Sequence, residues 1–240
     1  MLSDREVHVW NAPFDPSRAL AAQQSQLLSR DERERAGRFH FARDREHFIH
    51  ARAVLRVLLG HYLDVPPASV AFCYGPAGKP ELAAPFRDTN LQFNVSHSQG
   101  HLLIAIARNC AFGVDIEKVR SETNIEEISE RFFCSAEKQQ LRTLSGLTKS
   151  EGFFNGLTRK EAYLKARGED IGDGLCRFVV SLIPGIPARL LFDERVPDAV
   201  GRWSIRELPA EGGLSAALAV KAIDFQLKAL RLNDLQGEWL

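Results

Sequence analysis

The stretch Phe112-Gly113-Val114-Asp115-Ile116-Glu117 constrains this chain more than any other. Val114 and Ile116 alternate with Asp115 and Glu117, the period-two pattern of a half-buried strand. Alternation puts both carboxylates on one face, roughly 7 Å apart along the strand. Like charges that close repel, so the rest of the sequence should supply a cation. Oxygen-only ligands favour a hard ion such as Mg2+, which takes one or two carboxylates and completes its shell with substrate phosphates. The same residues also suit an exposed strand face with two solvated acids, and other stretches must decide between the two.

A chain of 240 residues can bury a good core, as one large domain or two small ones. Hydrophobic residues make up 45% and charged residues 26%, ordinary values for a globular protein. Lys and Arg number 31 against 31 Asp and Glu, so no global field points to nucleic acid or membrane. Electrostatic recognition must come from local clusters. Cys73, Cys110, Cys134 and Cys176 lie far apart, without a C-x-x-C pair or a histidine at ligand spacing. That pattern argues against a zinc site or disulfide framework and suits a reducing cytoplasm. Charged Asp4, Arg5 and Glu6 follow Met1 without an apolar core, so no signal peptide is expected. No apolar run reaches the ~18 residues of a membrane span. The expectation is a soluble cytoplasmic monomer.

Along the chain, Val7–Trp10 alternates as a first strand. Ser29 and Glu32 have capping-box spacing and predict a helix from Arg30, dense in arginine at 30, 33, 35 and 38. A second helix is predicted from Asp44 to Leu63, with Phe48, Leu55, Leu58, Leu59 and Tyr62 near one face. Arg45 and Arg52 are two turns apart on one side of it, and Arg56 follows at i+4. Guanidinium groups that grip phosphate bidentately suit a polyanionic ligand, although surface arginines on helices are also common. Val70–Tyr74 reads as a strand, and Gly75 to Pro80 as a rigid turn presenting Lys79. Leu91–His97 and Leu102–Arg108 read as two further strands, the second apolar on both faces and so central. Thr123 with Glu126 has capping-box spacing, Ser135 can cap another helix, and Glu137 lies in its first turn. Positions 143–152 read as a polar loop, then Phe153–Arg167 as a helix closed by Gly168. Strands are expected at 177–182, 189–192, 203–208 and 214–222, with a terminal helix around 226–233.

Three motifs in this order, Phe93-Asn94-Val95-Ser96-His97-Ser98, GVDIE and KEAYLKARG, resemble the phosphopantetheinyl transferases of the Sfp type. The Asp44-Arg45 to Arg52 pattern, the GKP triplet at 78–80 and the Arg131-Phe132-Phe133 run with Glu137 resemble that family too. The likeness runs from about Arg30 to about Gly168. It implies an α+β fold of two similar α/β lobes, with the active site in the cleft between them. We expect a first lobe at 1–111 making nucleotide contacts, and a second at 112–240 with the metal strand and the KEA helix. The implied reaction moves the phosphopantetheine arm of coenzyme A onto a serine of an apo acyl or peptidyl carrier protein, releasing 3′,5′-ADP.

By the same resemblance, Asp115, Glu117 and Glu161 would hold Mg2+, with Lys165 on a phosphate and Lys160 on the phosphates or the nucleophile. Arg45, Arg52, Lys79 and Pro80 would meet the nucleotide end, Ser96 the pyrophosphate and His97 the ribose phosphate. The base is Glu161 itself or a metal-bound water. Two departures stand out. Leu157 occupies the place of a usual tryptophan, and acidic Gly168-Glu169-Asp170-Ile171-Gly172 replaces a glycine-rich segment. Two other readings stay open: a non-catalytic coenzyme A- or carrier-binding module of the same fold, and a Mg2+-dependent phosphohydrolase.

Overall fold

A computed structural model describes residues 2–14, 18–75, 78–169 and 175–232. Positions 76 and 77 of the glycine-proline turn, the acidic run at 170–172 and position 233 lie outside them. In chain order the elements are β1 (Glu6–Pro13), α1 (Arg18–Leu27), α2 (Arg30–Gly37), α3 (Ala42–Leu63), β2 (Phe72–Tyr74) and β3 (Pro80–Leu82). Then come β4 (Leu91–Ser98), β5 (His101–Arg108), β6 (Phe112–Lys118), α4 (Ile125–Phe132), α5 (Ser135–Arg142) and α6 (Gly146–Arg167). The last are β7 (Phe178–Val180), β8 (Leu190–Asp193), β9 (Ser204–Glu207), β10 (Leu214–Val220) and β11 (Gln226–Arg231). The fold class is α+β, as expected. No described helix is long and apolar enough to cross a membrane.

The described residues form two compact units. One takes in the chain up to Phe93, Gly100–Asn109 and the strand residues from Leu227; the other comprises Asn94–Gln99 and Cys110–Gln226. One sheet has the order β11-β1-β5-β4. Leu102 to Ala107 of β5 are all buried, as an apolar strand flanked on both edges should be. The segment expected as a terminal helix is instead β11. Its Lys228 ammonium lies 2.6 Å from Glu6 of β1, and edge pairing overrides a local sequence that tolerates helix.

The second unit is built on the antiparallel sheet β6-β10-β9, with Asp115 opposite Ala217 and Glu117 opposite Ser215. Helix α6 packs on β6 and β10 around Ala162, Leu164, Ala217 and Ala219. It begins at Gly146, well before the expected Phe153. Its polar first turns are held by tertiary contacts: Ser150 and Gly152 are buried, and Lys149 pairs with Glu126 at 2.5 Å. Asn124, rather than Thr123, caps α4, its Oδ1 accepting from the Glu127 N–H (3.3 Å). Cys134, rather than Ser135, occupies the cap of α5. Leu157 is partly buried against the cluster of Phe133, Phe153 and Leu182, a packing position.

Gly113 sets how closely α6 approaches the carboxylate strand. A Cβ there would overlap the Ala162 carbonyl oxygen and lie 2.5 Å from the Ala166 nitrogen and 2.8 Å from the Lys165 Cβ. Backbone atoms cannot swing aside, so Gly113→Ala should cost about 1–3 kcal/mol, the range for overpacking. Denaturant unfolding would measure it; an unchanged midpoint would mean that α6 shifts freely.

Candidate active site

Gly113, Asp115 and Glu117 share one face of β6 by strand alternation, and Gly113 meets α6, so both carboxylates face that helix. Asp115 is 1% exposed. Its Oδ1 accepts from the Lys165 ammonium (2.6 Å) and the Ser96 hydroxyl (2.8 Å). Lys165 is also 3.1 Å from Ser96 Oγ. Glu161 precedes Lys165 by one turn of α6 and feels the charges of both Asp115 and Glu117.

Alternate side chains of β4 hold the edge of β6. Asn94 Oδ1, Ser96 Oγ and Ser98 Oγ accept in turn from the N–H groups of Val114 (3.0 Å), Ile116 (3.3 Å) and Lys118 (3.1 Å). The Ser98 hydroxyl donates to Glu117 Oε2 (2.9 Å), as Ser96 donates to Asp115. Each serine therefore fixes a strand and a carboxylate at once. Ser98 and Asn94 were missed by motif reading, although the period-two spacing of Asn94, Ser96 and Ser98 carried the signal.

All three carboxyls are pushed toward the protonated form. Burial raises Asp115 above the usual carboxylate range, against the opposing pull of Lys165 and Ser96. Burial, then the Asp115 charge, raises Glu117. Glu161 is pushed up to about 7, first by burial and then by Asp115 and Glu117. Three acids under mutual repulsion, with one ammonium beside them, favour additional positive charge. Among the described residues no group of three His, Cys, Asp or Glu side chains stands ready-made to hold a metal. Even so, Asp115 Oδ2 is buried without a hydrogen-bond partner, and oxygen-only donors fit a hard cation.

Other expected contacts fall elsewhere. Ser96 has its proton on Asp115, so it is a positioning residue here rather than a free donor to pyrophosphate. Lys160 corrects the sequence expectation outright. It is fully buried, with its ammonium 2.9 Å from Glu137 and 2.6 Å from the carbonyls of Leu175 and Phe178. Glu137, in the first turn of α5, also accepts from the N–H groups of Cys134 and Val180 (both 2.9 Å). Lys160 lies one residue before Glu161, and the helical turn between neighbours carries it into the core.

In the first unit, Arg52 is engaged by Glu32 Oε1 (2.5 Å from Nη2) and the Tyr74 hydroxyl (3.1 Å), and Glu32 Oε2 accepts from Arg56 (2.6 Å). This buried arrangement ties α2 to α3 and makes Arg52 structural in this conformation. Arg45 is exposed in the first turn of α3. Lys79 and Pro80 line a cavity of about 320 Å³ together with Glu81, Arg87, Gln92 and Phe93. His97 is exposed on β4, out of step with Ser96 and Ser98.

Comparison with known proteins bears on this arrangement directly. The description "4′-phosphopantetheinyl transferase superfamily" matches residues 111–219, and "4′-phosphopantetheinyl transferase, N-terminal" matches 12–109. The 4′-phosphopantetheinyl transferase HetI of Nostoc sp. is 38% identical over 228 residues, covering 95% of this chain and 92% of that protein. The chain belongs to the 4′-phosphopantetheinyl transferase superfamily. A phosphopantetheinyl transferase of Thraustochytrium sp. is 29% identical over 89% of this chain and 76% of its own. The human L-aminoadipate-semialdehyde dehydrogenase-phosphopantetheinyl transferase is 29% identical over 70% of this chain and 57% of its own. A solved holo-(acyl-carrier-protein) synthase from Bacillus anthracis has 21% identity and a TM-score of 0.37, covering 46% of this chain and 95% of that one. That likeness is too slight to argue from. As a member of the superfamily, this phosphopantetheinyl transferase is an enzyme, and the carboxylate cluster on β6 and α6 lies within the matched span.

Proposed function

We propose that Asp115, Glu117, Glu161 and Lys165 form the centre at which this transferase moves phosphopantetheine from coenzyme A to a serine of an apo acyl or peptidyl carrier protein. The observation that carries this reading is the convergence of three proton-seeking carboxyls around one lysine, with a buried Asp115 oxygen left unsatisfied. Asp115, Glu117 and Glu161 would hold Mg2+, which supplies charge neutralisation for the pyrophosphate and the departing 3′,5′-ADP. The chain's own groups do the rest. Lys165 carries a fixed positive charge to a phosphate oxygen, and Ser96 and Ser98 keep the carboxylates from rotating away. Glu161 would take the serine proton as the bond to phosphorus forms. Positioning and charge stabilisation account for most catalysis in phosphoryl transfer, and this inventory supplies both.

Arg45, Lys79, Pro80 and His97 are assigned to the nucleotide end of coenzyme A, and the cavity that Lys79 and Pro80 line supports the assignment of those two. The reading places the reaction in a reducing cytoplasm with a monomer as the working form, in keeping with four free cysteines. The test is to mix the protein, Mg2+, coenzyme A and an apo-carrier. Mass gain on the carrier serine supports the reading. Coenzyme A binding without gain means a binding module, and free phosphopantetheine released without carrier means a hydrolase.

The carrier should dock partly by charge. Arg30, Arg33, Arg35, Arg38 and Arg120 offer local basic character in a chain with no net charge. Exposed charges are screened beyond a Debye length of ~8 Å at 0.15 M, so the KM for an acidic carrier should rise as salt is added. A KM that stays flat from low to high salt would remove charge from the docking.

A further inference from the structure

Two cysteines far apart in sequence clasp each other's chain in the second unit. Cys134 Sγ lies 2.9 Å from the carbonyl oxygen of Cys176, with Phe178 O at 3.0 Å. In return, Cys176 Sγ lies 3.4 Å from the carbonyl oxygen of Arg131, near the end of α4 and just before Cys134 in the chain. Each sulfur rests on the segment that carries the other, 42 residues away in the chain. Cys176 is exposed, whereas Cys134 is half-buried at the start of α5.

From this reciprocal contact we infer that Cys134 and Cys176 form a redox-modifiable pair, closing to an intramolecular disulfide when a small-molecule disulfide is supplied. The exposed Cys176 thiolate attacks one sulfur of the reagent, forming a mixed disulfide and expelling one thiolate. Cys134 Sγ then attacks Cys176 Sγ, closing the Cys134–Cys176 bond and expelling the second. The two cysteines lose two protons and two electrons, and the reagent disulfide becomes two thiols. Each sulfur hangs on one rotatable bond and already touches the backbone beside the other cysteine, so side-chain rotation is the motion that would bring the two together.

The surroundings fix the order of events. Burial pushes the Cys134 thiol up to about 11, so it is a poor first nucleophile and serves as the resolving thiol. The Lys160 ammonium, 3.9 Å from Cys134 Sγ, is the local charge that favours its thiolate during closure. Lys160 also grips the carbonyls of Leu175 and Phe178 on either side of Cys176, which keeps that segment in register with Cys134. In a reducing compartment the pair stays open, the pattern of a regulatory rather than a structural disulfide.

The experiment treats the folded full chain with oxidised glutathione and maps its peptides without reduction. We expect a peptide linking Cys134 to Cys176, two of four thiols lost to a thiol reagent, and full recovery with dithiothreitol. Thermal denaturation should show a higher midpoint for the linked form, since the bond closes a long loop. Cys176→Ser, at an exposed position, should leave Cys134 unmodified, whereas Cys134→Ser should trap glutathione on Cys176. A lasting glutathione adduct on wild-type Cys176, or a link through Cys73 or Cys110 instead, would overturn the inference.

Discussion

Glu161→Gln should lower phosphopantetheine transfer to an apo-carrier by at least about 100-fold, the loss expected when a general base is removed. Glutamine keeps the side chain's size and its place on α6 but takes away one of three carboxylates around Lys165. Coenzyme A should still bind, because the nucleotide-end assignments are to other residues. Calorimetry with coenzyme A beside turnover on a carrier, both with Mg2+, separates the two effects. Full turnover in the variant would dissolve the three-carboxylate centre. The same substitution has an independent signature in stability. Burial, then the charges of Asp115 and Glu117, push the Glu161 carboxyl up to about 7, well above the ordinary carboxylate range, so between the two the folded state holds the extra proton. Stability therefore falls as pH rises through this window, by up to about 3 kcal/mol for this group. Glu161→Gln should flatten that part of the profile and unfold later than the parent at pH 8 without divalent ions. Added Mg2+ should stabilise the parent and leave the variant nearly unmoved.

The strands that carry the carboxylates were legible because their pattern is local. Alternation in GVDIE and in Asn94-x-Ser96-x-Ser98 marks faces, and faces decide which side chains can meet. The apolar run of β5 announced a buried strand for the same reason. What could not be read was set by partners distant in sequence. Glu32 looked like a capping-box acid, which it is, its carboxylate accepting from the Ser29 N–H at 2.9 Å, yet it also binds Arg52 and Arg56. No local rule tells a buried arginine pair from a phosphate grip, since both need the same fork of donors. The start of α6 escaped for a related reason: Gly146, Thr148, Ser150 and Gly152 have weak helical signals, and contacts made by Lys149 and Gly152 decide the matter.

Lys160 is the sharpest case, and its replacement should show which reading of it is right. Its side chain and that of Glu137 both have zero exposure, and they meet at 2.9 Å. The ammonium also lies 4.3 Å from the centre of the Phe178 ring. A charge buried this deeply is tolerable only while its partner remains, because the desolvation cost of the survivor is otherwise unopposed. Lys160→Met keeps most of the volume but leaves Glu137 and two carbonyls without their cation, and should destabilise the fold by about 3–5 kcal/mol. Adding Glu137→Gln removes the stranded charge while leaving an oxygen for the Cys134 and Val180 N–H groups, so the double variant should recover part of that loss. A phosphate-binding lysine behaves otherwise: its methionine variant would unfold where the parent does, bind coenzyme A more weakly, and gain nothing from Glu137→Gln. Denaturant midpoints for the two variants, read beside coenzyme A affinity in the folded fraction, decide between a lysine that builds α6 into its core and one that faces the substrate.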